Sequence, residues 1–320
     1  METRPMRDHP ERSTRDLLAR LALACLVGHV AMTLFSAYAF STFLAGPPPA
    51  WLQSPANQAI LRAGWRFGGP TCVVLGALAG LLHCASRLGS RTALVLFAAA
   101  FSISLASELT GTGTGYPFGP YAYTSQLGWK FFGLVPFNIP TSWFYMLYCA
   151  LAIVGRIARS TSDARAKWRW AIAAGFVLTA WDVSMDPAMV RTTHWLWHLP
   201  AAEGRSAVER AFVSDAFYGM PLSNWLGWLL TGIVVARVML ELVPPARWAH
   251  DVSPSRFPLV LYAVNGVLPI AICLRHDLTW AWVLGTVAMA LPLALALRGG
   301  VARSRAGTCR EASPLATAGD

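Results

Sequence analysis

Long apolar stretches recur along the whole chain, and they constrain the fold more than any other feature of the sequence. An α-helix needs about 20 apolar residues to cross a hydrocarbon layer of roughly 30 Å. A soluble chain of this size would need a charged surface, yet only 13% of the residues are charged. The sequence therefore predicts an all-α, polytopic membrane helix bundle with about eight transmembrane helices. The predicted blocks are 17–44, 67–86, 92–109, 132–155, 168–190, 217–240, 257–274 and 279–297.

Basic residues lie mainly in the short loops and tails beside these blocks, and they predict the orientation. With the N-terminus in the cytoplasm, 19 of the 26 Lys and Arg residues fall on the cytoplasmic side, in agreement with the positive-inside rule. Both termini are then cytoplasmic, and a bacterial cytoplasmic (inner) membrane is the expected location of this multi-pass protein. The same placement accounts for the net charge of +10, so no nucleic-acid partner is predicted.

The sequence predicts one transmembrane domain with a tail at each end. Residues 1–16 form a cytoplasmic N-terminal tail, residues 17–298 the helical domain, and residues 299–320 a cytoplasmic tail that is disordered because it is small and polar. Residues 111–119 are rich in Gly and Pro and predict a loop. Membrane lipid is the expected surrounding partner, and the sequence leaves the oligomeric state open.

Polar side chains in or beside the helices gather on one side of the predicted membrane. Successive helices run in opposite directions, so the ends of the third and fifth helices and the starts of the fourth and sixth share one face. This holds for either orientation of the bundle. The polar residues at these places are Glu108, Tyr121, Tyr123, Asn138, Asp182, Asp186 and Asn224.

Asp182 and Asp186 are four residues apart, so they share one face of a helix. Two ionised carboxylates there would repel each other, and removing either from water is costly. At least one is therefore expected to carry a proton near neutral pH. A neutral carboxylic acid in an apolar pocket suits general-acid catalysis. The alternative is that Asp186-Pro187 only ends the helix at the membrane surface, with Asp182 hydrogen-bonded to a neighbour.

Aromatic and histidine residues near the same face have a simpler explanation as an interfacial belt. The tryptophans could instead line a pocket for a long apolar polyene and stabilise a carbocation with their π-faces. His194 and His198 alone are weak evidence for a metal, so neither a metal nor another cofactor is predicted. The tryptophans concerned are Trp181, Trp195, Trp197, Trp225 and Trp228.

Several motifs follow one another between residues 105 and 230, the family-like core of the chain. They are Ser-Glu-Leu-Thr-Gly at 107–111, Tyr-Pro-Phe-Gly-Pro-Tyr-Ala-Tyr-Thr at 116–124, Val-Pro-Phe-Asn-Ile-Pro at 135–140, Trp143-Phe144, Ala-Trp-Asp-Val-Ser-Met-Asp-Pro-Ala-Met at 180–189, Trp-Leu-Trp at 195–197 and Tyr-Gly-Met-Pro-Leu-Ser-Asn-Trp-Leu-Gly-Trp at 218–228. In order and spacing they resemble the bacterial and archaeal carotenoid 1′,2′-hydratase family, which includes the bisanhydrobacterioruberin hydratases. The segment 198–216 is longer and more polar than the family pattern.

This resemblance implies a cofactor-independent hydro-lyase of carotenoid biosynthesis. Such an enzyme adds water across the terminal C1′=C2′ double bond of an acyclic carotenoid, one that is lycopene-like or has a glycosylatable end, and gives a tertiary alcohol. By hypothesis, Asp182 or Asp186 protonates the alkene in a dry pocket, and Glu108 or the other aspartate deprotonates the water that captures the cation. The further expected substrate or water contacts are Tyr121, Tyr123, Asn138, Trp143, Trp181, Tyr218 and Asn224.

Two alternatives stay open. One is another isoprenoid- or carotenoid-modifying membrane enzyme, such as a cyclase, in which an internal alkene replaces water as the nucleophile. The other is a proton-coupled membrane transporter whose buried carboxylates carry the ion. A transporter is expected to place such residues near the bilayer midplane, between related halves of the chain. The clustering of polar residues at one face argues against it.

Overall fold

The computed structural model describes residues 9–44, 46–47, 49–158, 163–201 and 203–311, and they form a helical bundle. Within these residues, eight helices have 19 or more residues. They are α1 (His9–Ser41), α2 (Pro55–Leu88), α3 (Ser90–Thr114), α4 (Asn138–Ile157), α5 (Ala164–Arg191), α7 (Leu222–Leu242), α9 (Phe257–Arg275) and α10 (Thr279–Glu311). Two short helices, α6 (Ala207–Val213) and α8 (Pro245–Arg247), flank α7, and a π-helical turn, Trp248–Val252, follows α8.

Six of the long helices are long and apolar enough to cross a membrane, namely α1, α2, α3, α7, α9 and α10. Helices α4 and α5 are the two that do not meet this criterion. Helix α4 packs against α2, α3, α5, α9 and α10, and its residues 140–156 are all buried. A helix that contacts protein on every side needs no lipid-compatible surface, so it can carry polar residues where neighbouring segments supply hydrogen-bond partners. That eight helices cross, with both termini cytoplasmic, stays a prediction.

Several element boundaries differ from those expected. The predicted loop at 111–119 is wrong in its first part, because α3 continues to Thr114. The hydroxyls of Thr112 and Thr114 donate to carbonyls four residues back, at 2.9 and 2.7 Å, and Gly115 then ends the helix with a φ of 82°. Left-handed backbone of this kind suits glycine, which has no Cβ to clash.

The two predicted tails are partly helical. Helix α1 begins at His9, inside the predicted tail 1–16, and residues 1–8 lie outside the described residues. Helix α10 extends to Glu311, so the tail predicted to be disordered from residue 299 is helical over its first part. The remainder, 312–320, lies outside the described residues.

Short strands join the loops at the end of the bundle where α3 and α5 finish. Strand β1 (Tyr121–Tyr123) pairs antiparallel with β4 (Trp195–Trp197), with Tyr121 opposite Trp197 and Tyr123 opposite Trp195. A second small pair joins β2 (Lys130–Phe131) to β3 (Val135–Pro136). Because alternate residues of a strand point to the same side, the four aromatic side chains of the β1–β4 pair share one face.

The opposite end of the bundle is held by Arg156, near the end of α4. Its buried guanidinium donates to the carbonyls of Ser253 at 2.7 Å, Pro254 at 3.1 Å and Ala296 at 3.1 Å. These carbonyls belong to the turn before α9 and to α10. One charged side chain therefore satisfies backbone acceptors from two separate segments and fixes both against α4.

Replacing Arg156 with Met should lower the stability of the bundle, because several buried carbonyls lose their donor. The expected cost is about 3 kcal/mol, the scale for leaving buried polar groups unpaired. It would be measured as a fall in the melting temperature of the purified protein in detergent. Arg165→Met is the matched control, since Arg165 is exposed on α5. Equal melting temperatures for the two variants would contradict this role.

Candidate active site

A cavity of about 160 Å³ lies inside the bundle beside the β1–β4 pair. A single water needs roughly 10–15 Å³ measured in this way, so the space holds several waters or the end of a larger molecule. Its wall is mostly aromatic and apolar, with a few carboxylate, amide and hydroxyl groups. The wall residues nearest the β1–β4 pair are Glu108, Phe118, Tyr121, Tyr123, Asn138, Trp181, Met185, Asp186, His194, Trp195, Trp197, Asn224 and Trp228.

Glu108 lies two turns before the end of α3 and is only 2% exposed. Its carboxylate accepts hydrogen bonds from the hydroxyl of Tyr121, from the hydroxyl of Tyr123 at 2.8 Å and from the indole of Trp143 at 3.2 Å. The two tyrosines reach it together because they alternate on β1. An ionised carboxylate is a pure acceptor, so the three donors offset part of the cost of burying its charge.

The two aspartates of α5 share one donor from another helix. The side-chain amide of Asn224, in the first turn of α7, donates to Asp182 Oδ2 at 3.0 Å and to Asp186 Oδ2 at 2.5 Å. The indole of Trp195, on β4, donates to the other oxygen of Asp186. Both carboxyl groups are buried, at 0% and 1% exposure, so two negative charges here would repel in an apolar setting. The arrangement is best satisfied when the pair shares one proton.

The alternative that Asp186-Pro187 ends the helix is wrong, although Asp182 has the hydrogen-bonded neighbour that this alternative expected, Asn224. Helix α5 continues past Pro187 to Arg191, and Asp186 faces the cavity. Asp182 lies behind it, outside the cavity wall, and its Oδ1 has no hydrogen-bond partner among the described residues. Asp186 is therefore the aspartate that a molecule in the cavity would touch.

Asn138, the first residue of α4, is buried at 1% exposure and lines the cavity. Neither its amide nitrogen nor its carbonyl oxygen has a hydrogen-bond partner within the described structure. An unpaired amide in an apolar interior costs roughly 1–3 kcal/mol for each group, so such groups nearly always have a partner. A water or a polar ligand atom in the cavity is the partner that this geometry leaves room for.

Four of the five tryptophans assigned to an interfacial belt line the cavity instead. They are Trp181, Trp195, Trp197 and Trp228, whereas Trp225 is not part of the wall. Trp143 stacks on Trp228 from behind, with ring centroids 4.5 Å apart, and so fixes that wall while it donates to Glu108. Packed indoles with their π-faces near a cavity favour a cationic or polyene ligand.

Most of the residues predicted for the site are brought together. Asp182 and Trp143 lie behind the cavity wall and contact residues that line it. Tyr218 is the exception, because it is not part of the wall and its hydroxyl accepts a hydrogen bond from the amide of Trp280 at 3.0 Å. His194 lines the wall, with its ring against the Thr192 hydroxyl at 2.8 Å, whereas His198 does not line it.

A second polar group in the wall was missed because two of its members, His29 and Asn265, lie in the middle of apolar blocks outside residues 105–230. His29 of α1 contacts the carbonyl of Cys72 at 2.8 Å and the amide of Asn265 at 3.2 Å. Asn265 also accepts from the hydroxyl of Tyr145 at 3.0 Å. Polar residues within otherwise apolar helices are the sequence pattern that would have predicted this group. Its members satisfy one another, which indicates a role in joining α1, α2, α4 and α9.

Comparison with known proteins gives a consistent result. Residues 68–292, more than half of the chain, match the protein family described as carotenoid biosynthesis protein. A bisanhydrobacterioruberin hydratase from Haloarcula japonica is 31% identical over 131 residues, which is 40% of this chain and 38% of that protein. The match therefore spans well under half of the relative. No solved structure matches the chain. The family match and this relative confirm the resemblance inferred from the motifs.

Replacing Asn224 with Leu should destabilise the bundle, because both aspartates lose their shared donor. The expected cost is about 2–3 kcal/mol, measured as a fall in melting temperature in detergent. Adding Asp182→Leu should recover part of it, since one buried carboxyl group is then gone. Asp277→Asn, an exposed change in the loop before α10, should be additive with Asn224→Leu. If the effects of Asp182→Leu and Asn224→Leu on the melting temperature were also additive, Asn224 would not be coupled energetically to the aspartates.

Proposed function

Because the chain belongs to the carotenoid biosynthesis protein family, we propose that it is a hydro-lyase acting on an acyclic carotenoid end. It adds water across the terminal C1′=C2′ double bond and forms a tertiary alcohol. The apolar helices make it a multi-pass membrane protein, and the cytoplasmic membrane of a bacterium is the proposed location. The observation that carries the proposal is the unpaired amide of Asn138, which faces the same cavity as Glu108 and Asp186.

Asp186 is the proposed proton donor. It is the member of the aspartate pair that faces the cavity, and Asp182 behind it shares the donor Asn224. The π-electrons of the alkene take the proton at C2′, which forms a C–H bond and leaves a tertiary cation at C1′. Bulk water would level the strength of the acid, so a buried carboxyl group is suited to this step. Loss of the proton leaves both aspartates ionised, and this charge is offset by the cation at C1′ and by the donors Asn224 and Trp195.

Glu108 is the proposed base. Three hydrogen-bond donors favour its ionised form, and its charge lies on the cavity wall, where it stabilises the cation at C1′. A water held by Asn138 attacks C1′ with its oxygen and gives one proton to Glu108. That proton returns to the aspartate pair before the next turnover, so the net change is the addition of one water. The reaction transfers no electrons, and the proposal therefore requires no cofactor.

The aromatic wall supplies the remaining stabilisation. Trp181 and Trp228 pack edge to face, with centroids 5.9 Å apart, and both line the cavity. An indole face attracts a cation by roughly 2 kcal/mol or more when water is excluded. The same surfaces suit the alkyl groups of a carotenoid end.

Expression in cells that accumulate lycopene tests the reaction. The expected product is heavier than lycopene by one water, and in heavy-oxygen water it carries the label. Asp186→Asn and Glu108→Gln should each lower product formation by about 10²–10⁴, the range for removing a general acid or base. Asp277→Asn, an exposed carboxylate outside the cavity, is the matched control and should keep full conversion.

Other outcomes would overturn the proposal in distinct ways. A product of unchanged mass would indicate isomerisation or cyclisation, and oxygen drawn from O₂ would indicate an oxygenase. Full conversion by Asp186→Asn, with the variant inserted in the membrane at normal levels, would remove this aspartate from the mechanism.

Replacing Asn138 should affect water capture rather than alkene protonation. Asn138→Leu is expected to slow alcohol formation by about 10², the loss typical for one preorganised polar contact. The cation formed without a held water should lose a proton instead, so double-bond isomers of the substrate should accumulate. Asn138→Ser keeps a donor and an acceptor and should retain more alcohol. Alcohol as the sole product of Asn138→Leu, at the normal rate, would contradict this role.

A further inference from the structure

The carboxylates line a closed part of the cavity, and the cavity reaches the surface of the bundle elsewhere. Glu108, Asp186 and Asn224 are each at most 2% exposed. Among the residues that line the cavity, Gly69 of α2 is the one that is exposed on the surface of the bundle. A Cβ built at Gly69 would meet no heavy atom within 4 Å, so open space lies beside it.

This opening is apolar and lies inside the predicted membrane. Gly69 falls three residues after Arg66, within the apolar stretch 67–86. Phe67 before it and Val74 after it are exposed, at 58% and 36%, and such side chains suit a hydrocarbon surrounding rather than water. The half-buried cavity residues Val73 on α2 and Leu268 on α9 continue this apolar surface inward.

Gly69 differs from the glycines that serve close helix packing on α2. A Cβ at Gly76 would lie 3.1 Å from the ring of His29, and one at Gly80 would lie 2.9 Å from the side chain of Tyr145. Those positions need glycine because neighbouring helices approach closely. Gly69 has no such neighbour. The glycine at position 69 therefore does not serve close helix packing. Because it has no side chain, it leaves an opening clear.

We propose that the polyene chain of the substrate passes from the cavity to the lipid through the opening at Gly69. The substrate class, an acyclic carotenoid, rests on the hydratase function proposed above. The reacting end group then lies between Glu108 and Asp186, which both line the cavity, while the rest of the long polyene stays outside in the lipid. The substrate enters laterally from the membrane, end first.

Pigment binding tests the opening without relying on turnover. The full-length protein carrying Asp186→Asn is expressed in lycopene-accumulating cells and purified in detergent, and bound pigment per protein is read from its absorbance. Adding Gly69→Phe should lower bound pigment by about tenfold or more, because the side chain fills the passage. Adding Gly69→Ala should lower it by less than about threefold, since one methyl group leaves most of the opening clear.

Gly64→Phe is the matched control. Gly64 lies about one and a half turns earlier on α2, is exposed, has no heavy atom within 4 Å of its Cβ position and does not line the cavity. Both substitutions raise helix propensity similarly, so loss of folding would not separate them. Gly64→Phe should bind pigment as the background variant does.

The outcomes separate this proposal from the hydratase function. Pigment binding that is lost only in the Gly69→Phe variant supports the opening. If the unmodified chain also forms no alcohol, the hydratase function is overturned and the opening is not. Equal binding by the Gly69→Phe and Gly64→Phe variants overturns the opening, as does the absence of bound pigment in the background variant. Alcohol formation that survives Gly69→Phe at the normal rate would also overturn it.

Discussion

Burying three carboxyl groups in an apolar bundle is the constraint on which the rest of this structure depends. A buried carboxylate without partners is far less stable than one in water, so each must receive donors from the protein. Those donors come from other segments of the chain: β1 and α4 supply them to Glu108, and α7 and β4 supply them to the aspartates of α5. The contacts that satisfy the acids therefore also fix how α3, α4, α5 and α7 pack.

The β1–β4 pair gives two loops the order that the site needs. Buried backbone groups need hydrogen-bond partners, and the antiparallel pairing of Tyr121–Tyr123 with Trp195–Trp197 supplies them. Its alternation points aromatic residues toward the cavity and leaves Ala122 and Leu196 exposed. Without this pairing, the loops would not hold the donors of Glu108 and Asp186 within hydrogen-bond distance of these carboxylates.

The three acids differ in what surrounds them, and this difference is the basis of the proposed chemistry. Glu108 has three donors to itself, whereas Asp182 and Asp186 share Asn224, and Asp186 has one further donor, Trp195. One site is suited to hold a negative charge and the other to hold a proton. Water at Asn138 and a chain end arriving from Gly69 would meet between them, so the two reactants reach the acids from different parts of the wall.

The sequence by itself determined the helical class and the face on which the polar residues gather. Long apolar stretches admit few structures besides membrane helices, and alternating helix direction places Glu108, Asn138 and Asn224 at one end of the bundle. The motifs within 105–230 likewise determined the family, because their order is specific. These features follow from local composition and chain direction, which need no knowledge of packing.

Only the tertiary structure decided which groups meet. Asp182 and Asp186 share a helix face in the sequence, but the packing of α5 against α7 turns Asp186 to the cavity and leaves Asp182 behind it. Tyr218 lies in a matching motif and still points away, toward Trp280. The burial of α4, the strand pairing and the opening at Gly69 likewise depend on contacts between distant segments. The rotation of each helix and its contacts with distant segments depend on the packing of the whole bundle. The local sequence pattern could therefore not predict them.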